Sequence, residues 1–540
     1  MTRDFQKQAI TLIDDLKGVC ANYGLGNDGN EFKIITQIFL YKFLNDKFAH
    51  EIKQIDPKLA KAASWEDALR KTKKADYEML LLQLGGGTAR LRPEHFLASL
   101  YARQNEPDFA KTLDATLLSI AALNSDIFSV MTDDGEKQPL FDAITEFVSS
   151  KRNDFARALV NKLVNFSFER LFSEKFDFFA TLFEYLIKDY NKDGGGKYAE
   201  YYTPHAVAKI MASCLVTKEV KNVSCYDPAG GSGTLLMSLA HAIGEDRCSI
   251  YSQDISQKSS GLLRLNLILN KLVHSIPNII QGNTILHPYH RDDRGALRKF
   301  DCIVSNPPFK LDFSDFRDEL DTEANRSRFF AGIPKVPNKD KDKMAIYLLF
   351  LQHIIHSLGK KGKAAVVVPT GFITAQAGID KGIRQHLVEH RMLAGVVFMP
   401  SNIFATTGTN VSILFLDATN QGDIVLIDAS NLGTKVKDGK NQKTLLSTAE
   451  EDQIIRVFNA KEAVEDFSVV VSYDEIAAKN HSLSAGQYFD VKVEHCNITS
   501  DEFYERMMAH HSKLVGLFAQ SRELEIEIAS KIKSSKYVEI

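Results

Sequence analysis

The segment with the clearest potential for chemistry is an apolar run that ends in Asn306-Pro307-Pro308-Phe309. Two successive prolines allow neither a strand nor a helix to continue, so this loop is predicted to be stiff and to hold Asn306 at a strand end. The Asn306 side-chain oxygen and the Pro307 carbonyl can accept both N–H bonds of an exocyclic amino group, and Phe309 can stack on the ring that carries it. The alternative is a rigid turn that merely follows a core strand.

A second candidate site is the glycine-rich loop that begins at Asp227 and contains Gly230, Gly231, Ser232 and Gly233. Glycines let the backbone approach a ligand closely, and here they lie between a predicted strand and a predicted helix over 234–243. The loop has no following Gly-Lys-Ser/Thr and no GxGxxG pattern, so it is neither of those phosphate-binding motifs. A simple tight turn between strand and helix is an equal alternative.

A third signal is Asp254, which ends another predicted strand 23 residues beyond Gly231. In α/β nucleotide sites an acid about 20 residues past the glycines accepts hydrogen bonds from ribose hydroxyls, although a lone acid at a strand end is usually a helix cap. Asn283 and Thr284 follow the next predicted strand, where their side chains could meet an adenine ring. Together these residues favour a nucleoside-containing ligand.

Short β-rich runs alternate with segments of helical pattern in the middle of the chain. The predicted strands are 223–227, 249–254, 278–281, 300–305, 363–369, 395–399 and 411–417. This alternation predicts a doubly wound α/β domain with a mainly parallel sheet. Its ligand is expected at the carboxyl ends of the strands, where Asp227, Asp254 and Asn306 stand.

The two ends of the chain look helical. Apolar residues recur at helical spacing over 5–16 and 32–52, and a further helix is predicted over 174–188. Residues 1–165 show few convincing strands and predict a helical scaffold or docking domain without chemistry of its own. From 503 onward, eight positions follow alternating spacings of four and three residues: Phe503, Met507, His510, Leu514, Leu517, Ser521, Leu524 and Ile528. All of them except His510 and Ser521 are apolar. This pattern fits a coiled-coil seam or an ordinary amphipathic helix packed on its own domain.

The charge balance limits how the protein can meet nucleic acid. With 66 Lys and Arg against 69 Asp and Glu, the net charge of −3 excludes a protein that coats nucleic acid by bulk charge. Arg328, Lys335 and Lys339 form a candidate strip for phosphate contacts after the Asn306 loop, with a solvated loop as the equal alternative because Asp340 and Asp342 interleave.

Six scattered cysteines without a CxxC pair predict a reducing compartment and no structural zinc. The chain opens without an apolar leader and shows no run of the roughly 18 to 20 apolar residues that a membrane helix needs. We therefore expect a cytoplasmic protein with no metal and no contact with membrane.

The two loops together resemble those of the DNA amino-methyltransferases that use S-adenosylmethionine. Asp227–Gly233 is similar to their cofactor loop and Asn306–Phe309 to their catalytic loop, in the order found in adenine-N6 enzymes of the gamma arrangement. The upstream run resembles the family segment that closes over the methionine part of the cofactor, with His205 where Arg is frequent: Glu200, Tyr201, Tyr202, Thr203, Pro204 and His205.

The resemblance narrows to the modification (M) subunit of type I restriction–modification systems. It extends to residues 31–48, 362–372 and 399–410, which look like a helical segment, a sheet strand with its turn, and a loop near the target base. The resemblance implies methylation of the N6 amino group of an adenine flipped out of duplex DNA. It also implies a specificity (S) subunit that reads the sequence, two copies of this chain per S subunit, and a restriction (R) subunit that can join.

The resulting prediction is a Rossmann-like methyltransferase of three parts. Residues 1–165 form an N-terminal helical domain for docking DNA or a partner, residues 166–485 the S-adenosylmethionine-dependent domain, and residues 486–540 a connecting segment and a helix for subunit docking. Three alternatives stay open. Asn-Pro-Pro-aromatic fits any planar amide or amine, which allows a protein-glutamine or RNA methyltransferase. The chain could instead be a cofactor-bound scaffold without catalysis, or a stand-alone enzyme with sequence-specific activity of its own.

Overall fold

The computed structural model describes residues 2–26, 29–169, 172, 203–404, 410–438, 441–489 and 498–534. The chain divides into two compact units, Met1–Tyr488 and Phe489–Ile540. The first unit ends three residues beyond the predicted boundary at 485. The division of this unit into a helical and a methyltransferase domain at 165 stays a prediction, as does the helix over 174–188, which lies outside the described residues.

The amino-terminal part of the first unit is mainly helical, as predicted. The segments 5–16 and 32–52 lie within its first two helices. In chain order the helices are α1 (Thr2–Asn22), α2 (Gly29–Ile55), α3 (Pro57–Lys61), α4 (Trp65–Arg70), α5 (Lys74–Leu82), α6 (Leu97–Ala102), α7 (Phe109–Leu123), α8 (Ser125–Phe128) and α9 (Arg152–Val164).

An eleven-stranded sheet forms the centre of the first unit. Its strands follow the spatial order β13-β10-β8-β9-β7-β6-β3-β4-β5-β1-β2, and β11 and β12 form a separate pair. The strands are β1 (Val130–Thr132), β2 (Lys137–Gln138), β3 (Val223–Asp227), β4 (Cys248–Asp254), β5 (Ile279–Gln281), β6 (Phe300–Ser305), β7 (Leu358–Pro369), β8 (Leu393–Phe398), β9 (Val411–Asp417), β10 (Ile424–Asp428), β11 (Thr434–Asp438), β12 (Asn441–Leu445) and β13 (Ser468–Val471).

Helices connect the strands in the doubly wound manner that the alternation predicts. They are α10 (His205–Leu215), α11 (Thr234–Ile243), α12 (Gln257–Leu269), α13 (Arg317–Leu320), α14 (Tyr347–Ser357), α15 (Gly371–Thr374), α16 (Gly378–Glu389), α17 (Thr448–Ala460) and α18 (Tyr473–Ala478). Short 3-10 helices occupy Pro93–His95, Thr145–Phe147, Val273–Asn278, Glu323–Asn325, Lys341–Lys343 and Ala485–Gln487. Within the described residues, no helix combines the length and apolarity needed to cross a membrane.

The sheet is mainly parallel, and its strand order reverses at β3. The chain proceeds from β3 to β4 and β5 on one side, and then returns to place β6 and β7 on the other side of β3. β9 is antiparallel to both of its neighbours, β7 and β8. In open α/β sheets a ligand binds where the order reverses, outside the carboxyl ends of the strands. The crevice between β3 and β6 is therefore the expected site.

The second unit contains one long helix, α19 (Ser500–Ser534), which includes all eight of the regularly spaced positions from Phe503 to Ile528. Thr499 and Glu502 begin it with reciprocal bonds: the Glu502 N–H donates to Thr499 Oγ1 at 3.3 Å, and the Thr499 N–H donates to Glu502 Oε2 at 3.0 Å. Large apolar side chains of this helix are exposed, among them Phe503, Met507, Leu514, Leu517, Leu524 and Ile528.

Candidate active site

The glycine-rich loop and the Asn-Pro-Pro-Phe loop meet at the reversal point of the sheet. β3 and β6 pair in parallel with Cys225 opposite Cys302, so the two strands end side by side. The Ser305 hydroxyl, from the last residue of β6, donates a hydrogen bond to Asp227 Oδ1 at 2.8 Å. The sequence prediction that these two motifs share one site is consistent with this geometry.

Asp227 is almost fully buried, with 2% of its surface exposed. Its Oδ1 also accepts the Ala229 N–H at 3.0 Å, which bends the chain from the strand into the glycine loop. Burial raises the pKa of the Asp227 carboxyl to about 7, because desolvation of the charge outweighs the two hydrogen bonds. The residue thus ties the two loops together with a carboxyl group that titrates near neutral pH.

Asn306 joins a third predicted segment to this site. Its Nδ2 donates a hydrogen bond to Thr203 Oγ1 at 3.3 Å, and Thr203 is buried. No described residue donates to Asn306 Oδ1, so this oxygen can accept a hydrogen bond from a ligand. Pro204 caps α10 and His205 begins it, exposed. Glu200, Tyr201 and Tyr202 lie outside the described residues and stay predictions.

The rest of the Asn306 loop differs in exposure from residue to residue. Pro307 is buried, Pro308 is exposed and Phe309 is partly buried. The Phe309 ring meets the Tyr347 ring nearly perpendicularly, with 6.2 Å between centroids, and the Tyr347 hydroxyl donates to Asp380 Oδ1 at 2.5 Å. Aromatic pairs favour such edge contacts, so this contact supports the orientation of Phe309 beside Asn306.

The glycines of the loop are required by close packing as well as by conformation. Gly231 and Gly233 have φ values of 52° and 84°, in the left-handed region that favours glycine. A Cβ at Gly230 would overlap the Ser252 hydroxyl of β4, and a Cβ at Gly233 would overlap Leu263 of α12. The loop is therefore a tight turn between strand and helix, as the alternative explanation of these glycines expects. Within residues 230–233, only Ser232 carries a side chain.

Asp254 lies at the carboxyl end of β4 and contacts the glycine loop directly. Its Oδ2 accepts the Gly231 N–H at 2.9 Å and its Oδ1 accepts the Ser256 N–H at 2.8 Å. Burial raises the pKa of this carboxyl, while the two hydrogen bonds lower it less. Asp254 thus orders the turn before the following helix, whose N-cap is Ser256, and it contacts the glycine loop, while its bond to a ribose stays a prediction.

The loop after β5 closes the other side of the site. The buried Thr284 hydroxyl donates to the Pro228 carbonyl at 2.7 Å and so joins this loop to the glycine loop. Asn283 Oδ1 accepts the N–H groups of Ile285 and Leu286, each at 3.1 Å. Thr284 therefore holds the loop together, while Asn283 is partly exposed and stays a candidate ligand contact.

Sequence reasoning missed Asp133, which comes from the region predicted to be helical. β1 pairs in parallel with β5, and the turn after β1 places Asp133 Oδ2 at 3.2 Å from the Asn283 N–H. A Cβ at Gly282 would overlap the Asp133 carboxyl group. The signal was the Asp-Gly turn at Asp134-Gly135, which marks a hairpin between two short runs. The amino-terminal region thus supports a loop of the candidate site.

The prediction that Arg328 contacts DNA phosphates is wrong. Arg328 is 2% exposed, and its guanidinium donates to the carbonyls of Thr284 and Ile285, both at 2.8 Å, and to His353 Nδ1 at 3.1 Å. Burial lowers its pKa to about 10. Its donors are used to support the loop after β5, so none of this side chain faces a duplex. Lys335 and Lys339 are exposed and stay candidate phosphate contacts.

Comparison with known proteins agrees with the fold and the motifs. The type I restriction enzyme MpnII methylase subunit of Mycoplasma pneumoniae is 28% identical over 351 residues, covering 64% of this chain and 62% of that protein. The type I restriction enzyme MjaIX methylase subunit of Methanocaldococcus jannaschii is 26% identical over 392 residues, covering 68% of this chain and 65% of that protein. This chain thus spans somewhat less than two thirds of the length of both relatives.

Solved structures show the same fold. The type I restriction–modification methyltransferase subunit from Streptococcus thermophilus has a TM-score of 0.72 at 21% identity, covering 91% of this chain and 100% of that one. A modification subunit of a putative type I restriction enzyme from Vibrio vulnificus has a TM-score of 0.52 at 18% identity, covering 87% and 93%. The predicted methyltransferase fold and the predicted resemblance to type I M subunits are confirmed. A model of the N-6 DNA methylase family matches residues 174–496, more than half of the sequence, and the chain belongs to this family.

Proposed function

We propose that this chain is the methyltransferase subunit of a type I restriction–modification system. It transfers a methyl group to the N6 amino group of an adenine flipped out of duplex DNA, and a separate specificity subunit supplies sequence recognition. The observation that carries this proposal is that three predicted segments meet in one crevice. The Ser305 hydroxyl donates to Asp227 Oδ1 at 2.8 Å, and Asn306 Nδ2 donates to Thr203 Oγ1 at 3.3 Å.

Asn306 and Pro307 would hold the target amine. An aromatic amine is a poor nucleophile because its lone pair is conjugated with the ring. The Asn306 Oδ1 and the Pro307 carbonyl would accept its two N–H bonds, localise the lone pair and stabilise the positive charge that forms on nitrogen. Much of the acceleration comes from positioning the two reactants in line, which a loop stiffened by two prolines suits.

Phe309 would receive the flipped base. Extrusion of a base from a duplex costs a few kcal/mol. Stacking on an aromatic side chain returns about 1–3 kcal/mol of this. The edge contact with Tyr347 keeps the Phe309 ring oriented beside Asn306 before the base arrives.

The cofactor residues fit S-adenosylmethionine, which supplies the methyl group on its sulfonium. The bare backbone of Gly230–Gly233 allows close approach of a ligand, and Asp254 lies beside it to accept ribose hydroxyl bonds. Asn283 would contact the adenine part, and Thr203 with the residues before it the methionine part. None of these side chains needs to take up or release a proton in the reaction, because the proton lost from nitrogen can leave to water.

Asp254→Ala should weaken S-adenosylmethionine binding roughly 10- to 100-fold, because a hydrogen bond to a charged group contributes about 1.5–3 kcal/mol. Titration of the cofactor by calorimetry measures this. Asp254→Asn, which keeps an acceptor for Ser256, should give a smaller loss. Asp246→Ala, an exposed acid before the opposite end of β4, is the control and should bind normally. An unchanged titration with Asp254→Ala would remove the ribose role.

The proposal is tested by transfer of tritium-labelled methyl groups from S-adenosylmethionine to duplex DNA, RNA and protein. The full chain is assayed alone and with any subunit that co-purifies. Label in the N6 position of adenine in duplex DNA supports the proposal. Label in RNA or in glutamine side chains favours the alternative methyltransferases, and cofactor binding without transfer to any acceptor favours the scaffold. Sequence-specific activity of the chain alone would argue against a separate specificity subunit.

α19 is the proposed docking element for the specificity subunit. Its exposed apolar residues recur at four- and three-residue spacing, which suits packing against helices of that partner. The resemblance to type I M subunits further implies that two copies of this chain bind one specificity subunit, and that a restriction subunit can join this complex. Lys335 and Lys339 are the proposed phosphate contacts of this chain beyond the active site.

Truncation after Glu494 should release the specificity subunit while the remaining chain still binds S-adenosylmethionine. The reason is that the removed residues include all of α19, whereas the cofactor residues lie in the compact unit Met1–Tyr488. Co-purification with a tagged specificity subunit measures the release, and a cofactor titration confirms the fold. Retention of the complex by the truncated chain would contradict the docking role.

A further inference from the structure

A basic β-ribbon lies outside the main sheet. We call the segment 434–445, which contains the paired strands β11 and β12, the basic ribbon. Its strands pair with Lys435 opposite Thr444 and Lys437 opposite Gln442, so the two lysines point to the same face. The segment has four lysines, at 435, 437, 440 and 443, against one acid at 438. It carries a net charge of +3 in a chain whose total is −3.

The base of the ribbon is fixed to the loop after β8. The Thr444 N–H donates to the Asn402 carbonyl at 3.0 Å, and the Thr444 hydroxyl donates to the Ser401 carbonyl at 2.6 Å. Just before the other strand, the Gly433 N–H donates to Glu450 Oε1 at 2.7 Å. These bonds hold the ribbon in a defined place although a two-stranded pair is marginally stable by itself.

This place is the same edge of the sheet as the candidate active site. β8 and β7 are both antiparallel to β9, and β7 is parallel to β6, so the carboxyl ends of β8 and β6 lie on one edge. Three strand intervals separate β8 from β6, which corresponds to about 14 Å. A DNA duplex rises about 3.4 Å per base pair, so this distance corresponds to about four base pairs.

Two lysines of the ribbon, Lys435 and Lys437, are placed to meet an external anion. Lys435 and Lys437 are exposed, and neither forms an ion pair with a carboxylate in the ranges that the structure describes. Elsewhere in the first unit several lysines do pair with acids, as Lys53 does with Glu169 at 2.8 Å. Two exposed cations without a carboxylate partner, in a segment of net positive charge, are the electrostatic complement of a polyanion.

We propose that the basic ribbon binds the phosphate backbone of the DNA duplex a few base pairs from the flipped base. This inference rests on the proposed DNA methyltransferase function. DNA is favoured over an acidic partner protein because the ribbon shares the sheet edge with Asn306, where the duplex must lie. The contact positions the duplex and carries no sequence information, since it is made to phosphates.

The test compares two matched double variants of the full chain, each with any co-purifying subunit. Lys435→Gln/Lys437→Gln removes two charges from the ribbon. Lys360→Gln/Lys361→Gln removes two exposed charges near the amino-terminal start of β7, on the opposite edge of the sheet. Affinity for a short duplex of arbitrary sequence is measured over a range of salt concentrations, and S-adenosylmethionine binding verifies that each variant is folded.

We expect the ribbon variant to bind DNA more weakly. The slope of the logarithm of its affinity against the logarithm of salt concentration should become smaller in magnitude. We expect a change of about 0.9 for each phosphate that a removed lysine neutralised, and up to about 1.8 for both lysines. The variant at the opposite edge should keep the original slope. Equal slopes in the two variants would overturn the inference, as would loss of a co-purified subunit with unchanged DNA binding. If the unmodified chain transfers no methyl group to DNA in the same preparation, the proposed function fails instead, so the two failures are distinguishable.

Discussion

Asn306→Ala should reduce methyl transfer to DNA by at least roughly 10²–10³-fold while S-adenosylmethionine binding stays near the original value. The substitution removes the Oδ1 acceptor that would hold the target amine and stabilise charge on its nitrogen. It leaves the glycine loop intact, because Asp227 is bonded to Ser305 and Ala229 and not to Asn306. Single-turnover transfer of labelled methyl groups measures the chemical step, and a cofactor titration measures binding.

Thr203→Val provides a graded control for this prediction. Thr203 Oγ1 accepts the bond from Asn306 Nδ2, so its loss should loosen Asn306 without removing the acceptor oxygen. A neutral hydrogen bond contributes about 0.5–1.5 kcal/mol, so the expected loss in rate is roughly two- to tenfold. Combining both substitutions should add little to the effect of Asn306→Ala alone. Equal single-turnover rates for Asn306→Ala and the unchanged chain would remove Asn306 from the mechanism.

The central strands could be predicted because each one is a compact apolar run with a chemical stop at its end. β6 ends where Pro307 and Pro308 forbid continuation, and β3 ends where the glycine loop begins. The short strand β1 could not be predicted in this way. Its three residues pair with the two-residue strand β2 and with β5, and β5 lies about 150 positions further along the chain.

The meeting of the motifs could also be predicted, because the carboxyl ends of neighbouring parallel strands share one edge of a sheet. What could not be predicted is which polar side chains form hydrogen bonds inside the protein and which ones face a ligand. Arg328 follows two exposed residues in a basic stretch, yet it is buried by contacts with carbonyls more than 40 positions away. Asp133 supports Asn283 through a contact across 150 positions. A local pattern contains no information on such pairings.

Asp227→Asn should change how the stability of the protein depends on pH. Burial raises the pKa of this carboxyl from its ordinary value of 3.8 to about 7 in the folded chain. A group whose pKa is raised by folding stabilises the folded state fully below its unfolded pKa, and this contribution is lost as pH rises through the folded pKa. Between about pH 4 and about pH 7 the unfolded chain releases the proton first, so stability falls over this window by up to about 4 kcal/mol.

Asparagine cannot titrate, but it keeps an Oδ1 that can accept the bonds from Ser305 and Ala229. We therefore expect Asp227→Asn to unfold at a higher temperature than the original chain at about pH 8, with the difference shrinking toward about pH 4. Thermal unfolding across this range measures the difference, and Asp246→Asn, an exposed acid outside the site, should leave the original pH dependence in place. Parallel pH profiles for Asp227→Asn and the original chain would show that the buried carboxyl contributes no such linkage. A flattened profile together with weaker S-adenosylmethionine binding would show that the charge at Asp227, costly to the folded chain, is kept because the cofactor site requires it.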